Sequence, residues 1–293
     1  MTSDDHARFG SIGIWNPNLH PSDPDGRSAA ADAAAELDDL GYGTIWIGGS
    51  PSVDQSRPVV EATRRITVAT GIMSIWQHEA AEVAAQVAQV QKAGGNRFVL
   101  GLGVSHDSMT PGYARPYSAM VDYLDALDNA PTPVPASGRV LAALGPKMLR
   151  LSADRAAGAH PYLVTAEHTA QARAELGPDA LLAPELKVVL STDLDESRSI
   201  ARGGLAMYLE LPNYTSNLLR LGFTEDDFTG GGSNRLLDAL FALGDEETIR
   251  ARVAEYHAAG ANHVALQVLT AGSRSGALPR AEWRTLASAF SLT

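Results

Sequence analysis

The chain has 293 residues, 45% of them hydrophobic, with 23 Lys and Arg against 34 Asp and Glu for a formal net charge of -11. That composition supports a full-sized core and excludes wholesale disorder, and an acidic chain without a basic run is a poor partner for a nucleic-acid backbone. The absence of cysteine excludes disulfide scaffolds, thiolate metal sites and cysteine nucleophiles.

The opening MTSDDHARFG carries acids where a signal peptide would be basic, and no apolar run approaches the roughly 18–20 residues that cross a bilayer. The expectation is a soluble, cytoplasmic protein with no membrane partner. Eight strand candidates then follow in chain order: Phe9–Trp15, Thr44–Ile47, Thr67–Met73, Phe98–Gly103, Val140–Leu144, Pro161–Thr165, Leu186–Ser191 and Val264–Leu269. Most are apolar throughout, as in a parallel sheet covered on both faces. Ala-rich segments at helical spacing lie between them. Arg27–Leu40 stops at Gly41, Glu79–Ala93 stops at Gly94-Gly95, Pro146–Ala157 opens on proline, and Glu246–Ala259 stops at Gly260, all ordinary helix punctuation. Strand followed by helix about eight times predicts an α/β fold, a (β/α)8 TIM barrel. A doubly wound sheet would need a glycine-rich turn after its first strand, where this chain has Trp15-Asn16-Pro17-Asn18. About seventy residues separate the seventh strand from the eighth, roughly twice a standard unit. They include a helix at Asp195–Leu209 and a glycine hinge at Gly230–Gly232. The expectation is one domain over 1–293 with an insertion at about 200–235 between strands 7 and 8.

A barrel keeps its chemistry where strands end. Those ends are Trp15, Asn16 and His20; Gly48, Gly49 and Ser50; Gly71, Ile72, Met73, Ser74 and Trp76; Gly103, Val104, Ser105, His106 and Asp107; Gly145; Thr165, Ala166, Glu167 and His168; and Gln267. No carboxylate pair, strand-end lysine or short-spaced ligand set appears, which argues against glycoside hydrolysis, Schiff-base chemistry and a metal site. A rim of Gly, Ser, Thr, Trp and Asn suits a flat cofactor approached by backbone. His106 is a candidate acid or base, or a loop histidine. His160 and His263 precede strands and read as structural, and Trp46 as core. Trp15 and Trp76 are candidate pocket walls. Thr165 is a candidate N-cap whose helix could also hold phosphate, and Lys147 is a candidate phosphate partner.

The ordered runs Ile66–Ile72, Gly94–Phe98, Val99–Val104, Arg115–Tyr117, Ala143–Leu149, Pro161–Thr165 and His263–Gln267 resemble the bacterial-luciferase-like oxidoreductase family, closest to its actinobacterial branch dependent on coenzyme F420. The resemblance covers nearly the whole chain. It implies coenzyme F420, or alternatively FMN, at the mouth of the barrel, and a non-prolyl cis peptide at Gly71-Ile72 behind the ring. It places ring-edge contacts near Gly48, Gly49, Ser105 and His106, and the phosphate near Gly145 and Thr165, Ala166 and Glu167. It also implies a homodimer. Where the family often carries Ser-Asp-His after the second strand, this chain has Gly48-Gly49-Ser50, which leaves that acid–base position vacant.

The expected function is hydride transfer between coenzyme F420 and an uncharged organic substrate. His106 would be catalytic, Trp15, Asn16, Trp76, Tyr208 and Tyr214 would shape the substrate pocket, and Asn213 would lie in its roof. An FMN-dependent monooxygenase served by a separate reductase is the alternative, and a non-catalytic ligand-binding barrel the third reading.

Overall fold

A computed structural model of the chain describes residues 7–292, apart from the side chain of Arg274; the acid-rich residues 1–6 lie outside it. Strands and helices alternate along it. The strands are β1 (Ile12–Asn16), β2 (Thr44–Ile47), β3 (Thr67–Thr70), β4 (Met73–Ser74), β5 (Phe98–Gly103), β6 (Arg139–Leu141), β7 (Gly158–Ala159), β8 (Leu181–Leu182), β9 (Glu185–Leu190), β10 (Phe241–Gly244) and β11 (Val264–Val268). The helices are α1 (Pro24–Asp39), α2 (Val53–Glu61), α3 (Ala80–Gly94), α4 (Pro116–Asp128), α5 (Pro146–Arg155), α6 (Ala166–Leu176), α7 (Leu194–Leu205), α8 (Pro212–Arg220), α9 (Asn234–Leu240), α10 (Glu246–Ala258) and α11 (Arg280–Ala289).

All strand pairs are parallel, in the order β10-β9-β11-β1-β2-β3-β5-β6-β7-β8, with β4 beside β5. The sheet curls: Glu185 N donates to Pro161 O beyond β7, while Ala265 N of β11 donates to Pro184 O. With helices between the strands this is an α/β fold built on a curled parallel sheet. Helices cover its outer face, and the largest core cluster joins them to the strands through residues such as Ile14, Ile45, Val68 and Leu266. Among the described residues, no helix is long and apolar enough to cross a membrane.

The strand count departs from eight because two strands are interrupted and one was missed. The run Thr67–Met73 breaks at a cis Gly71-Ile72 bond into β3 and β4. Pro184, which has no N–H for a ladder, stands between β8 and β9. β10 was unread, although its Phe-Ala-Leu-Gly ahead of the cap Asp245 repeats the strand-glycine pattern seen elsewhere. The predicted strand at Pro161–Thr165 is a correction: β7 ends at Ala159. Pro161 lacks a donor, and Leu163 adopts φ 55 with its N–H turned to the Glu185 carboxylate at 3.1 Å.

Between β9 and β11 the chain forms α7, a short 3-10 segment, α8, a second 3-10 segment, α9, β10 and α10. The predicted helix Asp195–Leu209 is α7 plus the 3-10 turn Ala206–Glu210. The expected glycine hinge falls at a kink, where Thr229 and Gly230 leave helical geometry. A second core cluster, with Leu205, Leu211, Tyr214, Leu218 and Leu237, holds this region together.

Candidate active site

A cavity of about 610 Å³ opens where β5, β6 and β7 end, within the range of small-molecule and cofactor pockets. One wall is apolar and built by strand ends. β5 delivers Gly103 and Val104, the β6 end delivers Ala142, Ala143 and Leu144, and Ile72 projects from the cis bond between β3 and β4. Gly103 leaves room for Ile72: a Cβ there would stand 2.4 Å from Ile72 Cδ1. Trp15 lies behind Ile72; its Nε1 donates to Gly71 O at 2.7 Å, and its ring packs 5.1 Å from that of Tyr162, which also lines the cavity.

The opposite side is polar. α5 starts at Gly145 with no side-chain cap, so the N–H groups of Lys147 and Met148 are left without helical partners. Gly145, Pro146, Lys147 and Met148 all line the cavity, and the space around a Gly145 Cβ is open. α8 adds Asn213, Tyr214, Ser216 and Arg220 from across the opening. The chain is acidic overall, yet the charged residues lining this cavity are Lys147 and Arg220, with no carboxylate among the described residues. An uncapped helix start and two cations place positive charge and free N–H groups on one side of this cavity.

His106, after β5, is half-buried on the rim. Burial lowers its pKa below the ordinary histidine value. Asn213 Nδ2 donates to its Nδ1 at 3.2 Å, and the Tyr214 ring lies 5.2 Å from it.

The structure thus brings together seven of the sequence-predicted residues, Ile72, Ser105, His106, Gly145, Lys147, Asn213 and Tyr214, on one cavity. The others lie elsewhere. Gly48 serves Trp15: a Cβ there would meet its ring at 2.2 Å. Gly49, at φ 77, sits against His20. Gly71 and Trp15 form the layer behind Ile72. Thr165, Ala166 and Glu167 do not line the cavity. The Thr165 hydroxyl accepts from His168 N at 3.2 Å, so α6 carries a side-chain cap where α5 has none. Asn16 opens instead on a second cavity of about 410 Å³ with Gln267 and Thr270. Trp76 backs the wall, donating from Nε1 to Val104 O at 2.6 Å with its ring 5.6 Å from Tyr113.

Tyr208 stands behind Tyr162, within 2.8 Å of its hydroxyl; the Tyr162 hydroxyl donates to Gln267 Oε1 at 2.8 Å. Beneath this pair Lys187 Nζ lies 2.9 Å from Glu185 Oε1 and 3.9 Å from the Tyr162 ring centroid. Burial lowers the Lys187 pKa, opposed by the Glu185 charge, and burial raises that of Tyr162 well above its ordinary value. Sequence reasoning missed Tyr162 and Arg220. The Tyr162–Leu163 reversal hides the first, and the second arrives on a helix far along the chain. His160 and His263 are core, as read: His160 stacks on Trp46 at 4.1 Å, and Trp46 Nε1 donates to His263 Nε2 at 3.0 Å.

A family model described as luciferase-like monooxygenase matches residues 9–263, and the chain belongs to that family of oxidoreductases. A curated relative, 4-hydroxyprotoasukamycin monooxygenase of Streptomyces nodosus subsp. asukaensis, is 35% identical over 105 residues, 32% of this chain. The chain spans 28% of the length of that relative. The solved F420-dependent secondary alcohol dehydrogenase in complex with an F420-acetone adduct superposes with a TM-score of 0.72 at 12% identity, over 96% of this chain and 98% of that one. The oxygenating constituent of 3,6-diketocamphane monooxygenase from Pseudomonas putida, in complex with FMN, gives 0.66 at 13% identity, over 94% and 95%. At these identities the likeness to both structures is one of fold.

Proposed function

We propose that the chain is a coenzyme F420-dependent oxidoreductase that moves a hydride to or from an uncharged organic substrate. The observation that carries this reading is the cavity itself. It joins an apolar wall ending in Ile72, suited to a flat ring, to an anion seat made by the α5 N-terminus, Lys147 and Arg220. These residues fit a cofactor with a planar head and a phosphate-bearing tail. When bound there, the deazaflavin would supply the carbon that gives or takes hydride. The protein would do the rest. Ile72 and Ala142–Leu144 would support the ring, Lys147, Met148 and Arg220 would hold the anionic tail, and His106 would meet the substrate. The segment at about 200–235 would act as a roofing insertion of a single barrel domain, placing α8 over the opening to exclude water. Dependence on F420 is favoured by the motifs shared with the deazaflavin branch.

An FMN-dependent monooxygenase is the second reading, favoured by the monooxygenase relative and the FMN complex of similar fold. Titration of the protein with each cofactor separates them. Saturable binding of F420 in the micromolar range is expected; tight FMN binding with none of F420 would reject the first reading for the second.

A further inference from the structure

His106 was singled out from sequence as an acid or base without any indication of which ring nitrogen faces the ligand. The contact with Asn213 bears on that choice. Asn213 Nδ2 stands 3.2 Å from His106 Nδ1. An amide nitrogen only donates, so Nδ1 must accept, and a neutral imidazole that accepts at Nδ1 carries its hydrogen at Nε2. Among the described residues no protein group is bonded to Nε2, and the ring lines the cavity.

We propose that Asn213 is a positioning residue that fixes the tautomer of His106, so that His106 presents an Nε2–H to the cavity and meets an acceptor oxygen of the bound ligand, such as a carbonyl. A base poised to remove a hydroxyl proton would need a bare Nε2 instead. This rests on the cavity being the reaction site. The groups facing the ring agree with a neutral imidazole. Tyr113 on the same loop, Tyr162 beyond β7 and Tyr214 on α8 are uncharged phenols with raised pKa. Lys147 on α5 and Arg220 on α8 are cations of the same cavity and oppose a third positive charge. Asp107, next in the chain, is exposed and does not line the cavity. Burial adds to the preference for the neutral form.

The test is long-range proton–nitrogen NMR of ring-labelled histidine in the cofactor-free protein, with the His106 signals assigned by their loss in His106→Gln. In the wild type, Nδ1 is expected in the unprotonated range and Nε2 in the protonated range at neutral pH. Asn213 is exposed, so its substitution leaves the core intact. Asn213→Asp supplies a carboxylate that accepts from Nδ1–H. It should move the proton to Nδ1 and raise the proton affinity of His106 tenfold or more, read from the NMR titration. Asn213→Leu should leave a mixture of tautomers. A protonated Nδ1 in the wild type, or a tautomer and titration indifferent to Asn213→Asp, would overturn the assignment. F420 titration runs separately: no binding there, with the expected tautomer intact, defeats the functional reading and spares the role of Asn213.

Discussion

Lys187 and Glu185 are each 1% exposed and lie 2.9 Å apart inside the barrel. Neither side chain has water to fall back on, so the stability of each depends on the other. The second Glu185 oxygen accepts from Leu163 N, and the ammonium is sandwiched near the Tyr162 and Tyr208 rings. Lys187→Met strands the carboxylate, and removing one partner of such a pair costs about 3–5 kcal/mol. Chemical denaturation should show that loss. Adding Glu185→Gln, which keeps an acceptor for Leu163 N, should restore at least half of it. If the double variant is as unstable as the single one, the pair is not the source of the effect. The buried histidines make a second claim. Burial holds His263 at a pKa of about 3 and His160 at about 4, against an ordinary value near 6.5. Below pH 6.5 the unfolded chain therefore binds protons that the fold refuses. Their contribution to stability is complete above pH 6.5 and declines as pH falls, by about 1.4 kcal/mol per pH unit for each group. Denaturation series between pH 7 and pH 4.5 should show the decline, and His263→Gln should make it shallower. An unchanged slope in that variant would refute the assignment.

At the scale of elements, what the sequence disclosed and what it hid have physical reasons. Continuous apolar runs announce covered strands, so Thr44–Ile47 and Phe98–Gly103 were legible to the residue, and strand ends led to Ile72, Ser105, His106 and Gly145. Of the two helix starts expected near the phosphate, the one at Gly145 lines the cavity and the one at Thr165 does not. Thr165 is a good cap residue and accepts from His168 N, whereas Gly145 offers α5 no side-chain cap. Tyr162 and Arg220 escaped because their positions depend on a backbone reversal and on the path of the chain between β9 and β11. That path is pinned by Asp227. Its carboxylate accepts from Ser233 Oγ at 2.6 Å, Thr224 N at 2.9 Å and Arg235 Nη1 at 2.8 Å, and these contacts hold its pKa below the ordinary carboxylate value. Asp227→Ala should speed amide exchange across residues 221–235 and, through α8, weaken cofactor binding, while β-strand protection is unchanged. Unaltered exchange in that segment would show that the apolar cluster around Leu205 and Leu237 is sufficient to hold it.

Over the whole molecule, a formal net charge of -11 repels anions, so the anionic cofactor proposed above would have to be admitted locally. Lys147 and Arg220 supply that local field at the rim of one cavity, and both are exposed. Exposed charges are screened by salt, with a Debye length of about 10 Å at 0.1 M ionic strength, and each contact of this kind is worth about 0.2–1 kcal/mol. Cofactor affinity should therefore fall several-fold as salt is raised from about 0.05 to about 0.5 M. Lys147→Gln and Arg220→Gln should each weaken binding roughly threefold at low salt. In the double variant the salt dependence should nearly vanish, because the remaining α5 amides act at contact distance and are not screened in the same way. Fluorescence titration of F420 across the salt series measures all three. A double variant that keeps the full salt dependence would place the cofactor's anionic end away from α5 and α8.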